Sequence, residues 1–262
     1  MTTATCPSVP ATTLKDPAAG IRAFMFFDGF VRLVLWQASL ALTIVLFNVL
    51  DAWPAQAPFG TDWHATWKWV EKLGHMVLVF NVAYLLLLLV LRLLIPTPKE
   101  GRYSFVKGTL RRDLLWAALI SVLTRARYEP PFPGFLVFHL VNLPPFCWLV
   151  RWIMGPNSRS VFVLNPPIPD PDFTEIGRNV TIGWGTSITA HIQDREGVTL
   201  KKVVIEDNVM IGAEVLIYGG TRIKRGAVVY GGAVVRPDTV IGENEAWAGV
   251  PARKIKDLQP VG

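Results

Sequence analysis

The sequence has few of the side chains from which disulfide frameworks and metal sites are built. Only two cysteines, Cys6 and Cys147, occur in 262 residues. Two cysteines so far apart form neither a CxxC metal motif nor a dense disulfide framework. Of the four histidines, only His191 lies beyond residue 160, so a zinc site of three neighbouring histidines cannot form there. We therefore predict no metal cofactor.

Nucleic-acid motifs are also missing. No zinc finger, basic zipper or aromatic RNA-binding motif is visible, so the net charge of +6 does not indicate nucleic acid as a partner. The first residues, MTTATCPSVPATTLKDPAAG, lack the charged-then-apolar order of a secretion signal. We interpret residues 1–29 as a cytosolic tail.

Two long apolar runs dominate the amino-terminal half. Residues 30–50 and 75–95 would each form about 30 Å of helix, which is enough to cross the hydrocarbon core of a bilayer. The alternative is a pair of buried helices in a soluble protein, and residues 84–91, which are apolar on every face, disfavour it. We predict a membrane domain over residues 30–154 that contains these two spans.

Two shorter apolar stretches follow the second run. The stretch from Leu114 to Leu123 is too short to cross a bilayer, and arginines flank it on both sides. Residues 135–154 have spanning length, but Pro144 and Pro145 interrupt them. We predict interfacial helices over about 104–127 and 135–154, the second of them bent or half-inserted.

Basic residues are concentrated after the second run. Seven lysines and arginines lie between residues 96 and 128, whereas the loop 51–74 holds only Lys68 and Lys72. Cytoplasmic loops of membrane proteins collect lysine and arginine. We therefore predict a membrane location with the carboxy-terminal domain on the cytoplasmic side.

An aliphatic residue recurs at every sixth position in the carboxy-terminal third. The members of this series are Ile205, Ile211, Ile217, Ile223, Val229, Val235 and Ile241, and Ile176, Ile182 and Ile188 keep the same period earlier. A period of six fits neither the helical period of 3.6 nor a single strand, but it is a multiple of two. Each repeat can therefore be a short strand with one fixed side inward, and three repeats can close one triangular coil.

Stacked coils of this kind form three parallel sheets around an aliphatic core. A β-sandwich is the alternative, although sandwich turns rarely keep a strict six-residue register. We predict a membrane α-helical amino-terminal half followed by an all-β parallel β-helix of hexapeptide repeats over residues 161–256. The segment from Ile188 to Ile205 breaks the period, and we interpret it as a short loop ejected from one corner.

Three segments of the repeat region, EDNVMIGA, GAVVYGGAVV and AWAGVPARKIK, closely resemble the hexapeptide-repeat acyltransferases. This family includes the galactoside, maltose, serine and xenobiotic acetyltransferases. The resemblance covers residues 161–256. It implies a left-handed β-helix, a homotrimer with active sites at the subunit boundaries, and acetyl-CoA or another acyl-CoA as donor.

The same resemblance implies a catalytic role for His191, which opens the ejected loop. In the family such a histidine takes a proton from the acceptor, and a neutral imidazole has a suitable pKa near neutral pH. The alternative is a solvated turn histidine. Asp194 or Glu196 could orient the ring, although a solvated loop charge is the more ordinary role for each of them.

Five further residues match positions of the coenzyme groove in this family. Ala213 would let the pantetheine arm approach the backbone, and Gly231 and Arg236 match positions that line the same groove. Arg253 and Lys256 would meet the coenzyme phosphates through charge-assisted hydrogen bonds, unless they are only solvated charges near the carboxy terminus.

Together these features predict a membrane-associated acyltransferase. It would move an acyl group, acetyl above all, from acyl-CoA to a hydroxyl or amine of an apolar or lipid-linked acceptor. A γ-type carbonic anhydrase shares the β-helix but needs three histidines for zinc. A non-catalytic trimeric scaffold in the membrane is the other alternative, and the intact GVPAR ending opposes it.

Overall fold

The structure is a computed structural model that describes residues 18–50, 63–104, 112–158, 168–194 and 197–260. Its amino-terminal half is helical and its carboxy-terminal half consists of short strands. The helices are α1 (Ala18–Leu50), α2 (Trp63–Leu94), α3 (Arg112–Tyr128), α4 (Val137–Leu140) and α5 (Phe146–Met154). Two 3-10 turns, Gly134–Leu136 and Pro171–Phe173, complete the helical elements.

The long helices α1 and α2 pack against each other and against α3. Tyr84 lies at the centre of this bundle, fully buried, and its hydroxyl donates to the Ala126 carbonyl of α3 at 3.1 Å. Many apolar side chains on the outer faces are exposed, among them Phe30 and Val90. The segments Phe24–Val49 and Thr66–Leu94 are long and apolar enough to cross a membrane.

Several helix boundaries differ from the predicted ones. Helix α1 begins at Ala18, so residues 18–29 of the predicted tail belong to its first turns. No proline follows Pro17 within this segment, and its residues AAGIRAFMFF favour helix over an extended tail. Helix α2 begins at Trp63, twelve positions before the predicted span. Residues 105–111, within the predicted interfacial helix 104–127, lie outside the described residues.

The segment 135–154 is not one helix. Helix α4 ends at Leu140, a turn follows, and α5 begins after Pro145. Proline lacks the N–H that would continue the helical hydrogen bonds, which explains the break. Helix α5 has nine residues and is too short to cross a bilayer.

Most strands of the carboxy-terminal half stack in three sheets. The first contains β2 (Asn157–Ser158), β3 (Thr174–Ile176), β8 (Val203–Ile205), β11 (Arg222–Ile223) and β14 (Val240–Ile241). The second contains β4 (Thr181–Ile182), β9 (Met210–Ile211), β12 (Val228–Val229), β15 (Glu245–Ala248) and β16 (Arg253–Asp257). The third contains β5 (Ser187–Thr189), β10 (Leu216–Tyr218) and β13 (Val234–Val235). All pairs in these sheets are parallel except β15 with β16, so the domain is a parallel β-helix.

The six-residue series forms the core of this β-helix, as the spacing predicts. Ile205, Ile211 and Ile217 lie on three different sides of one coil and are each 1% exposed. Ile211 aligns with Ile182 on the coil before it and with Val229 on the coil after it. An inward column of stacked aliphatic side chains therefore runs along the axis.

The ejected segment is a β-hairpin rather than an irregular loop. Strands β6 (His191–Gln193) and β7 (Gly197–Leu200) pair antiparallel, and the Lys201 amide donates to the Ala190 carbonyl at 3.0 Å to close the base. Strand β1 (Gly101–Ser104), which follows α2, adds to the other edge of β7. The hairpin thus joins the helical half to the β-helix.

A buried ion pair makes a second connection between the two halves. The guanidinium of Arg92, at the end of α2, contacts Oδ1 of Asp172 in the turn Pro171–Phe173. The same guanidinium donates to the Ile95 carbonyl at 2.9 Å. This contact fixes the turn that precedes the first coil against the end of a long helix.

Candidate functional site

His191 is the first residue of the hairpin and stands at the corner where the third sheet passes to the first. Strand β5 ends at Thr189, so the regular coil would turn here. The chain instead leaves as strand β6 at His191 and returns twelve residues later at Val203 of β8. The His191 side chain is 34% exposed, so part of the ring is accessible.

Asp170 holds the His191 ring. Its Oδ2 atom lies 2.6 Å from Nδ1 of His191, and the same oxygen accepts from the backbone amides of Ala190 and His191 at 3.1 and 3.2 Å. The Asp170 side chain is only 5% exposed. Because a carboxylate oxygen accepts hydrogen bonds, the ring donates from Nδ1, and Nε2 is left with a lone pair.

The surroundings of the ring set its protonation. Burial lowers the pKa of His191, whereas the hydrogen bond and the negative charge of Asp170 raise it. The two contributions of Asp170 together outweigh burial, so the pKa of His191 lies above its ordinary value of 6.5. The neutral ring, which can accept a proton at Nε2, is therefore formed as the pH rises through this elevated pKa.

Asp194, one of the two carboxylates suggested from the sequence, is not the residue that holds the ring. Asp194 lies at the turn of the hairpin, where Oδ1 accepts from the Gly197 amide at 2.9 Å and Oδ2 pairs with Arg102 at 2.8 Å. Glu196 lies outside the described residues. Sequence reasoning missed Asp170 because it precedes the repeats by position and contacts His191 across 21 residues.

Ala213 and Gly231 lie together at a different corner, between the second and third sheets. They occupy equivalent positions on neighbouring coils, and the Gly232 amide donates to the Ala213 carbonyl at 2.9 Å. A side chain on Gly212 would bring its Cβ to 2.4 Å from the Gly231 nitrogen, so this close stacking requires glycine. Ala213 and Gly231 are both exposed, and the corner presents backbone to the outside.

The three predicted cationic residues lie in two places. Arg236 is exposed at the corner that carries His191, and its carbonyl accepts from the hydroxyls of Thr221 and Thr239. Arg253 and Lys256 are exposed on β16, where they pair with Ala248 and Ala246 of β15.

One chain does not bring all six predicted residues together. Ala213 and Gly231 precede strands β10 and β13 of the third sheet, whereas His191 follows strand β5 of the same sheet. The two corners therefore lie at opposite ends of the strands of this sheet. At about 3.3 Å per residue, they are up to roughly 20 Å apart. The chemistry available within one chain is a carboxylate-oriented imidazole beside a hairpin.

Residues 202–237 match the family model described as Bacterial transferase hexapeptide (six repeats). Among relatives, "Putative acetyltransferase YvoF" of Bacillus subtilis (strain 168) is 32% identical over 117 residues, which are 42% of this chain and 68% of that protein. The 2,3,4,5-tetrahydropyridine-2,6-dicarboxylate N-acetyltransferase of Staphylococcus aureus (strain JH9) is 39% identical over 85 residues. That match covers 32% of this chain and 34% of the relative, so the chain spans about a third of its length.

Solved structures that the comparison matches to this chain include the hexapeptide-repeat acetyltransferase VCA0836 from Vibrio cholerae, with 20% identity and a TM-score of 0.41 over 61% of this chain and 96% of that one. A galactoside acetyltransferase in complex with coenzyme A has 18% identity and a TM-score of 0.40 over 60% and 86% of the two chains. The Bacillus subtilis relative, matched over more than two thirds of its length, decides the assignment. The chain belongs to the hexapeptide-repeat acyltransferase family, as the resemblance predicted, and its β-helix is left-handed, as in that family.

Proposed function

We propose that the protein is a membrane-associated, CoA-dependent acyltransferase. It transfers an acyl group, with acetyl as the main candidate, to a hydroxyl or amine of an apolar or lipid-linked acceptor. The observation that carries this proposal is the His191–Asp170 pair, a buried carboxylate holding an accessible imidazole at the base of a hairpin on a hexapeptide β-helix. Named acetyltransferases among its relatives support the reaction class.

His191 acts as the general base through Nε2. As the acceptor oxygen or nitrogen attacks the thioester carbonyl, its proton passes to Nε2, and a tetrahedral intermediate forms. When the carbon–sulfur bond breaks, the imidazolium returns the proton to the leaving thiolate. Asp170 accepts a hydrogen bond from Nδ1–H throughout, so it keeps the ring in the productive tautomer and stabilises its charged form.

The donor binds along the corner formed by Ala213 and Gly231. Both residues are small and exposed, so a pantetheine arm can approach the backbone of this corner. Arg236, Arg253 and Lys256 are also exposed and supply cationic groups for the coenzyme phosphates.

A homotrimer would complete the site. The His191 corner and the Ala213–Gly231 corner lie at opposite ends of the strands of the third sheet. A neighbouring copy can therefore bring its Ala213–Gly231 corner against the hairpin of the first copy. Family membership supports this arrangement, in which each active site lies at a subunit boundary.

The helical half supports attachment to a membrane. Segments Phe24–Val49 and Thr66–Leu94 have the length and hydropathy of spans, and much of their apolar surface is exposed. Basic residues follow the second of these segments, which orients the β-helix toward the cytoplasm, where acyl-CoA is made available.

Replacing Asp170 by asparagine should reduce turnover and change its pH dependence. Asparagine carries no negative charge, whereas burial still lowers the pKa of His191, so the acidic limb of the kcat/KM profile should move to lower pH. The maximal rate should fall about ten- to a hundredfold, because the amide can leave the ring in the wrong tautomer. The measurement is thiol release from acetyl-CoA as a function of pH.

Asp194→Asn is the matched control for this experiment. Asp194 lies on the same hairpin but contacts Gly197 and Arg102 instead of the ring. It should leave the position of the acidic limb unchanged. An Asp170→Asn profile that coincides with that of the unaltered protein would contradict the assigned role of Asp170.

Calorimetry with acetyl-CoA and with longer acyl-CoAs tests the proposed function directly. We expect the full chain in detergent to bind at least one of them with a Kd between about 1 μM and 1 mM. Ala213→Leu should weaken binding about tenfold or more, since the added side chain occupies the donor corner. His191→Ala should bind the donor normally. No binding to any acyl-CoA would favour the non-catalytic scaffold instead.

A further inference from the structure

A cavity of about 510 Å³ lies where the helical half meets the β-helix. Helix α5 forms one wall through Trp148, Arg151 and Trp152, and the chain entering the β-helix forms another through Asn157. Pro171 and Asp172 of the turn before the first coil line a further side. No residue proposed above to contact the donor or to take the proton lines this cavity.

The two indole rings give the cavity an apolar face that is open to the surroundings. Trp148 and Trp152 are 66% and 78% exposed and stand one helical turn apart on the same side of α5. The opposite side of the helix, with Val150 and Met154, is buried in the bundle. Tryptophans in this arrangement, on a helix too short to span, are typical of the boundary between lipid and water.

The polar lining of the cavity combines opposite charges and an unused acceptor. Asp172 uses Oδ1 to pair with Arg92, while its Oδ2 lies buried with no hydrogen-bond partner in the described part of the chain. Arg151 contributes N–H donors, and the amide of Asn157 can both donate and accept. A hydroxyl group also donates and accepts, whereas a fully charged headgroup would meet one group of like sign.

The cavity adjoins the proposed base through a single turn of chain. Asp172 in its wall is two residues from Asp170, whose carboxylate holds His191. Two residues span roughly 7 Å at most between their Cα atoms. A molecule in the cavity is therefore held next to the turn that orients the imidazole.

We infer that this cavity is where the acceptor, an amphiphile with an uncharged, hydroxyl-bearing headgroup on a hydrocarbon chain, docks from the membrane before its hydroxyl reaches Nε2 of His191. The headgroup lies against Arg151, Asn157 and Asp172, and the chain passes between Trp148 and Trp152 into the lipid. That the bound amphiphile is the acyl acceptor rests on the proposed acyltransferase function, whereas binding of the amphiphile can be tested by itself.

Photolabelling with an octyl glucoside that carries a diazirine on its chain tests the inference. The full chain is reconstituted in phosphatidylcholine nanodiscs, irradiated and mapped by mass spectrometry. We expect labelling in residues 146–157 that saturates and that unlabelled octyl glucoside suppresses. Free glucose and octyl sulfate should compete about tenfold more weakly or worse, because one lacks the chain and the other carries a charge.

Trp148→Ala and Trp152→Ala should each reduce the saturable labelling about fivefold or more, since each removes apolar contact area. Both side chains are exposed, so neither change should disturb folding. Trp184→Ala is the matched control, because Trp184 is 74% exposed on the β-helix and does not line the cavity. Its labelling should equal that of the unaltered protein.

Two outcomes would overturn the inference. One is labelling confined to α1 and α2 that no competitor suppresses, which is simple partition into the bilayer. The other is equal competition by octyl sulfate and octyl glucoside. Failure of the acyltransferase proposal is recognised separately, by acetyl transfer and not by labelling. His191→Ala keeps the cavity, so this variant should still be labelled although its acetyl transfer is lost.

Discussion

His191→Ala should lower acyl transfer by at least about a hundredfold, because general-base catalysis by a positioned side chain contributes roughly 10²–10⁴ to the rate. The acceptor would have to lose its proton to water as it attacks the thioester. The appropriate measurement is thiol release from acetyl-CoA with lipid extract as acceptor, together with the acyl-sized mass shift in extracts of cells that contain the protein.

A second substitution at the same position separates proton transfer from the structure of the site. His191→Asn retains an N–H that can donate to Asp170 but has no group at the position of Nε2. If His191 is the base, both variants should lose activity to a similar degree. Each should bind acetyl-CoA and unfold at nearly the same temperature as the unaltered protein, since His191 is partly exposed outside the aliphatic core.

Full turnover by either variant would remove His191 from the mechanism. Selective recovery of activity in His191→Asn would also count against a base, because asparagine can restore the Asp170 contact but cannot accept the proton. The remaining role for the side chain would then be to hold the base of the hairpin in place.

The β-helix could be predicted from sequence because its order is local. Each inward residue is fixed by a six-residue step, so the period alone identified Ile205, Ile211 and Ile217 as core residues before any long-range contact was known. The family resemblance predicted the left-handed coiling and the candidate general base. Neither the handedness nor the role of His191 follows from the period.

The partner of His191 could not be predicted in the same way. Asp170 contacts the ring across 21 residues and lies in a turn that contains no repeat signal. Strand β1 is four residues long and pairs with β7 across nearly a hundred positions. Contacts of this kind depend on how the helical half packs against the β-helix. A sequence pattern within either half does not predict that packing.

The helix boundaries show a related limit. Hydropathy identifies the apolar part of a span, but a helix continues until its backbone is interrupted, so α1 and α2 extend beyond the predicted runs at their amino-terminal ends. Proline gave a sharper signal within 135–154, where Pro144 and Pro145 stand between α4 and α5.

Ile211→Asp should prevent stable folding of the β-helix. The Ile211 side chain is 1% exposed and stacks between Ile182 and Val229 on the neighbouring coils. Removing it forfeits about 1.5–3 kcal/mol of apolar burial. An unpaired carboxylate in the same place adds several kcal/mol more. Together these losses approach the total of about 5–15 kcal/mol that stabilises a typical domain.

The neighbouring residue on the same strand provides the matched control. Met210 precedes Ile211 on β9, points outward and is 55% exposed, so Met210→Asp should change the free energy of unfolding by about 0.5 kcal/mol or less. Arg225→Ala, at an exposed corner where the backbone N–H and carbonyl of residue 225 make hydrogen bonds to Glu206 and Asn244, should be equally mild. Thermal unfolding followed by circular dichroism distinguishes these cases. Because side chains alternate along a strand, the reverse order of stability, with Met210→Asp the more damaging change, would require a register one residue different, and with it a different position for every corner of the coil, including the one that carries His191.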